Sequence, residues 1–239
     1  MLLFVSSDAG PAPSHGHVCF AYDDPETMAG HARAFLEAGV ATGVLKQLRR
    51  NKVEATFCLG TQRLYDWLHD NGAVELLPVD LVNDPRRIAR EDDFISINAT
   101  TEVDLYGQCA SETIAGRYWS SSGGQADFAR GAMYSTRGQA FIVLHSTTGK
   151  GRSRIRTRLT EGSVVTTLKN TVDNVVTEHG IARLRGASLA ERARRLIGVA
   201  HPDHREQLER EAFEAGILRG GGWGPGPDGR RAHATAPSG

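Results

Sequence analysis

Apolar residues in this chain come in short bursts separated by Gly, Pro and Asx clusters, and the spacing within the bursts switches repeatedly between strand-like and helix-like. His17 to Tyr22 predicts a short strand, and Asp23-Asp24-Pro25 opens a helix to Gly39 in which Met28, Ala32, Phe35 and Leu36 share a face. Val53 to Leu59 predicts a strand, and Gly60-Thr61 leads into a helix with Leu64, Trp67 and Leu68 on one side. Val74 to Val79 predicts another strand, and Asn83-Asp84-Pro85 starts a short helix through Arg90. The longest strand-like segment runs from Phe94 to Leu105, interrupted by polar residues at Asn98 and at Thr100 to Glu102. Further strands are expected at Ala140–His145, Val164–Leu168 and Asn174–Thr177. Helices are expected at 125–132, from a Ser188/Glu191 capping box toward Ala200, and at roughly 203–215. Alternating strands and helices predict an α/β fold with a mixed or mostly parallel sheet.

Composition narrows the partners more than the fold. Positive and negative side chains number 28 each among 239 residues, so no global field draws the chain to nucleic acid or an acidic membrane. Cys19, Cys58 and Cys109 lack CxxC spacing, which argues against a disulfide framework and a zinc site and leads us to expect a cytoplasmic protein. The start, Met1 to Val5, is too short for a signal h-region, and no apolar run reaches membrane-spanning length. Residues 1–16 read as a flexible lead-in and the Gly/Pro-rich residues 216–239 as a disordered tail.

Three stretches carry candidate chemistry. Ser120-Ser121-Ser122-Gly123-Gly124-Gln125 removes side-chain bulk ahead of a helix, so its backbone N–H groups can meet an anionic or polarised oxygen; an ordinary glycine turn reads the same way. Arg152, Arg154, Arg156 and Arg158 occupy alternate positions, either a clamp for phosphates or carboxylates or a charged, solvated edge strand. The basic residues at 44–52 read as a solvated loop rather than a phosphate site.

Residues 44–215 resemble the C-terminal domain of the acetyl-CoA hydrolase/transferase family, which includes acetate, succinate and 4-hydroxybutyrate CoA-transferases. Five ordered blocks carry the resemblance: Leu77 to Pro85, Ser96 to Gln108, Gly123 to Ala132, Val176 to Ala182 and Ala200 to Arg205. It implies a CoA-transferase-like α/β fold, a mixed sheet flanked by helices in one main domain, and a cleft that takes acyl-CoA and a small carboxylate as substrates with no permanently bound cofactor. In such enzymes a glutamate carboxylate attacks the thioester, and the resulting glutamyl-CoA thioester passes CoA to an acceptor acid or to water. By family position Asn83 is the side-chain amide near the reacting carboxylate and Gly124 the backbone contact. Thr100, Ser120, Gly123, Gly124 and Gln125 fall on the implied CoA surface, as does the 146–154 loop, with Lys150 and Arg154 as phosphate contacts on charge and placement.

Two departures accompany the resemblance. The family commonly has Ser-Gly-x-Gly-Gly-Gln where this chain places Ser121 at the first glycine. The family's N-terminal domain, with its glutamate nucleophile, has no counterpart in residues 1–43. Glu26 lies at about the nucleophile's distance before Glu37-Ala38-Gly39-Val40, but Tyr22-Asp23-Asp24-Pro25 gives it the setting of a helix start. Residues 17–43 instead resemble the start of the MEDS sensory domain of bacterial signalling proteins. The expectations are therefore a transferase or hydrolase C-terminal domain incomplete on its own and completed by a homodimer partner or a separate N-terminal subunit, a catalytically silent CoA-binding remnant, or a signalling module acting through 17–43.

Overall fold

Side chains alternate buried and half-buried along Phe94–Ala99, the period of two that a strand with one covered face requires, and this strand lies within the main sheet. The computed structural model describes residues 43–58 and 62–218, together with the backbone of two strands, β1 (Leu3–Ser6) and β2 (His17–Phe20). Glu26, the helix expected at 23–39 and residues 219–239 lie outside the described residues. The chain continues through β3 (Val53–Ala55), α1 (Gln62–Leu68), β4 (Val74–Leu76), α2 (Val79–Val82), α3 (Pro85–Ile88) and β5 (Phe94–Ala99). Then come β6 (Glu102–Asp104), β7 (Cys109–Ala110), β8 (Thr113–Ile114), β9 (Arg117–Tyr118), α4 (Gln125–Tyr134), β10 (Gln139–Val143) and β11 (Ile155–Arg156). The described chain closes with β12 (Asn174–Thr177), β13 (Gly180–Arg183), α5 (Leu189–Gly198) and α6 (Pro202–Glu214).

The main sheet has the order β1-β2-β5-β10-β12-β13. Its inner pairings, β2/β5, β5/β10 and β10/β12, are parallel, and the outermost pairings, β1/β2 and β12/β13, are antiparallel. The mixed α/β sheet expected from the sequence is therefore present. One core cluster joins Phe94 and Ala140 to Phe128, Ala129 and Ala132 of α4, with the Phe94 and Phe128 rings stacked at 6.2 Å. A larger one joins Ile142, Val175 and Leu184 to α5 and α6 through Leu196 and Leu208.

Several expectations need correction. The run from Phe94 to Leu105 is two strands in two sheets: β6 leaves the main sheet to pair with β7 and β11. The break falls at Thr100 and Thr101, whose hydroxyls both donate to the Ala110 carbonyl (2.8 and 2.6 Å) while their N–H groups bond Val143 on β10 and Ala110 on β7. Val164–Leu168 forms no strand; Thr166 and Thr167 instead bond Ser111, Glu112 and Gln125. Val79 begins α2 rather than ending a strand. The basic loop at 44–52 is not wholly solvated. Lys46 is 1% exposed and donates to Glu54 (2.7 Å), a carboxylate that also pairs with Arg87.

Ile217 and Leu218, assigned to the tail on composition, are core residues. The end of α6 explains this. Gly216, at φ 73°, donates to Phe213, and Ile217 donates back to Ala212 (2.9 Å), a Schellman closure that turns the chain inward.

Candidate functional site: a glycine-walled cleft beside the start of α4

Two glycines seven residues apart lie along α4, and both are spaces rather than turns. A Cβ on Gly131 would overlap the Ile88 side chain of α3, and one on Gly124 would lie 2.5 Å from Asn83 Nδ2 and 3.2 Å from the Phe128 ring. The α2–α3 corner therefore sits directly against α4. Asn83 is the residue at that corner: it ends α2 by donating its N–H to Val79 (2.8 Å), while Asp84 caps α3 by accepting from the N–H of Arg86 (2.9 Å), with Pro85 in the first helical turn.

Between these elements lies an open cleft of about 680 Å³. Asn83, Ser121, Ser122, Gly123 and Gly124 line it together with Asp127, and Thr56 and Phe57 close one side. Gly124 forms the N-cap of α4 without a side-chain cap, so N–H groups of the first turn carry the positive end of the helix toward this space. Gly123 takes φ 56°, the left-handed region, whereas Ser121 is not among the described residues with positive φ; the serine in place of a glycine adopts ordinary backbone.

Electrostatics select what the cleft can hold. Asp80, Asp84 and Asp127 line it against the single cation Arg86, which is paired with Asp84 at 3.0 Å. The Asp127 carboxyl is held above its usual range by burial, an effect opposed by a hydrogen bond from Asn83 and the charge of Arg130. Asn83 Oδ1 is buried without a partner. The amide and N–H donors suit a polarised carbonyl oxygen.

The remaining sequence candidates lie elsewhere. Thr100 is 5% exposed, with its hydroxyl engaged by the carbonyls of Glu102 and Ala110 and by Ser111. Gln125 is 6% exposed and donates to Thr167 (3.0 Å), fixing the start of α4 rather than facing the cleft. Ser120 is exposed next to the cleft but outside its lining. Lys150 is on an exposed turn, and Arg154 lines a separate pocket with Glu102 and Thr160. That loop is tied down at two points: Glu178 accepts from Ser146 Oγ (2.6 Å) and N–H (2.9 Å), and His204 Nε2 meets the Gly151 carbonyl at 2.8 Å. The sequence reading missed Asp80, Asp84 and Asp127 as site residues, although all three lie inside or beside its quoted blocks. Their signal was three acids flanking the two candidate oxygen-binding positions.

Residues 60–212 match the family model described as the acetyl-CoA hydrolase/transferase C-terminal domain. The chain is 48% identical over 176 residues to the succinyl-CoA:cyclohexane-1-carboxylate CoA transferase of Geobacter metallireducens, covering 73% of this chain and 40% of that protein. It is 46% identical over 187 residues to the 4-hydroxybutyrate coenzyme A transferase of Clostridium kluyveri, covering 78% and 44%. The crystal structure of RipA from Yersinia pestis superposes with a TM-score of 0.74 at 42% identity, covering 78% of this chain and 42% of that one. The chain thus spans about two fifths of the length of the curated relatives it matches. A glycine-walled cleft built on the matched residues and a family match over most of the chain lead to one conclusion: this chain belongs to the acetyl-CoA hydrolase/transferase family and carries its C-terminal domain.

Proposed function

We propose that the chain contributes one wall of an acyl-CoA site, in which the Asn83 amide and the Gly124 backbone N–H receive the thioester carbonyl oxygen while a carboxylate attacks its carbon. The observation that carries this reading is that a Cβ at position 124 would lie 2.5 Å from Asn83 Nδ2, so the absence of a side chain there is what lets the Asn83 amide sit against the Gly124 backbone. Negative charge grows on the thioester oxygen as the attacking carboxylate adds, so donors fixed beforehand stabilise the transition state more than the ground state. Collapse of that adduct expels the CoA thiolate and leaves an acyl anhydride. The thiolate then attacks the anhydride at the enzyme's own acyl carbon, releasing the free acid and giving a glutamyl-CoA thioester. An acceptor carboxylate, or water, takes the next step. Among the described residues the carboxylates lining the cleft are all aspartates, Asp80, Asp84 and Asp127, so the attacking glutamate in this reading comes from outside them.

The test is calorimetry with acetyl-CoA and with free CoA, which differ at the thioester. Wild type is expected to prefer acetyl-CoA, and Asn83→Ala to bind the two alike. Equal affinities in wild type and variant would refute the assignment of Asn83. A catalytically silent CoA-binding domain would show the same preference without turnover, a distinction that mass spectrometry of a hydroxylamine-sensitive glutamyl thioester reads directly.

A further inference from the structure

The four alternating arginines open onto two adjoining pockets, and neither belongs to the glycine-walled cleft. One pocket, of about 370 Å³, lies between residues 152–158 and α6 and is lined by Arg152, Arg156 and Arg158 with His204, Gln207 and Glu211. The other, of about 220 Å³, lies toward β6 and is lined by Arg152, Arg154 and Arg156 with Thr148, Glu102 and Thr160. Arg152 and Arg156 are common to both, which makes a continuous basic surface with two lobes.

Four guanidiniums face two carboxylates there, and other groups already hold both. Glu102 accepts from the Thr160 N–H (3.0 Å), the Thr160 hydroxyl (2.7 Å) and the Ser163 hydroxyl (2.8 Å), while Arg156 approaches it only to 3.7 Å. Glu211 accepts from Thr157 and from Gln207 (2.8 Å). Arg158 packs over the Tyr106 ring at 5.5 Å, which orients it without neutralising it. Arg154 Nε is buried with no hydrogen-bond partner. Arg154 and Arg156 are only half-exposed, unlike charges that merely guard a sheet edge, and the strand here spans only Ile155 and Arg156. An unpartnered buried guanidinium N–H beside a polar pocket calls for an acceptor.

We infer that Arg152, Arg154, Arg156 and Arg158 form a two-lobed site for phosphate groups, reading two anionic centres of one ligand. Planar guanidiniums suit phosphate oxygens, and two lobes sharing two arginines suit a diphosphate or a bisphosphorylated nucleoside better than one isolated anion. The site is independent of the thioester assignment at Asn83. Its phosphates belong either to the tail of a CoA ligand or to a separate phosphorylated metabolite.

The probe is inorganic pyrophosphate titrated calorimetrically into the full chain at low ionic strength. We expect saturable binding that weakens at least about tenfold in Arg152→Ala and in Arg154→Gln, the loss expected for one charge-assisted contact. Arg63→Ala, an exposed arginine on α1, controls for net charge and should bind as wild type does. Arg152 is also exposed, so its removal leaves the fold intact even if Arg154→Gln perturbs packing. No heat at millimolar pyrophosphate, or losses no larger than those of Arg63→Ala, would overturn the site. Adenosine 3′,5′-bisphosphate and CoA identify the source. If both weaken by the same factor in the two arginine variants, the site holds the CoA tail. If CoA is unaffected while pyrophosphate binding is lost, the site stands and takes a separate phosphate ligand. Failure of the thioester assignment would leave pyrophosphate binding unchanged, so the two ideas fall separately.

Discussion

Gly123 and Gly124 are neighbours with different reasons to be glycine, and substitution separates them. Gly123→Ala places a side chain at φ 56° in open space, a strain of about 1 kcal/mol that urea unfolding should register with little change in ligand preference. Gly124→Ala puts a methyl group where the Asn83 amide now lies; we expect loss of the acetyl-CoA over CoA preference in calorimetry, with only a modest change in stability. Glu178 offers a test by pH. Hydrogen bonds from Ser146 hold its carboxyl down to about 2, below the ordinary carboxylate range. A depressed folded pKa contributes stability that is fully present above the unfolded value and fades as the pH falls toward 2. Carboxyl carbon shifts should therefore give Glu178 a midpoint near 2, and a midpoint near 4 would show that the anchor to Ser146 is absent in solution. At this scale the resemblance singled out Asn83 and Gly124 from continuous blocks, and the two adjoin in one cleft. The burial of Lys46 was not legible, since its partner Glu54 sits on another element and nothing local distinguishes a paired lysine from a solvated one.

Elements show the same division between local and distant causes. The capping box at Ser188 and Glu191 is present as read, both halves of it, because the signal and the structure lie within four residues. The break in the run from Phe94 to Leu105 was marked by Thr100 to Glu102, but what those side chains do depends on residues far along the chain: Ala110 receives the threonine hydroxyls, and Thr160 and Ser163 hold Glu102. Polar residues inside a strand pattern signalled an interruption without saying whether a ligand or the protein would satisfy them. The hairpin β8–β9 went unread, although Ala115 and Gly116, both at positive φ, form the two-residue turn that such hairpins favour. At the end of α6, Leu218 is 3% exposed, and Leu218→Ala should cost about 2–4 kcal/mol in chemical denaturation. A loss under about 0.5 kcal/mol would return Leu218 to the tail, as surface substitutions cost no more than that.

Among the described residues charge is segregated, although the chain's formal total is zero. Asp80, Asp84 and Asp127 surround the glycine-walled cleft, while Arg152 through Arg158 line the two pockets near α6. Composition could not show this, because a balanced count conceals two opposed local fields. One consequence is measurable: affinity for pyrophosphate should fall as salt rises, whereas the difference between acetyl-CoA and CoA should change little, since that difference rests on a neutral carbonyl.

Arg192 draws together more of this fold than its place on α5 suggests. Its buried guanidinium donates to the carbonyls of Tyr106 (2.8 Å), Leu184 (2.9 Å) and Lys169, tying α5 to two segments shortly before it and to one 86 residues away. The bond to Tyr106 closes a long loop, which is entropically costly, so we expect this part of the junction to form late on the folding path. Arg192→Met should therefore leave the folding limb of the chevron almost unchanged and raise the unfolding rate, because it removes an interaction absent from the transition state. The side chain then acts chiefly as a latch on the lifetime of the folded protein.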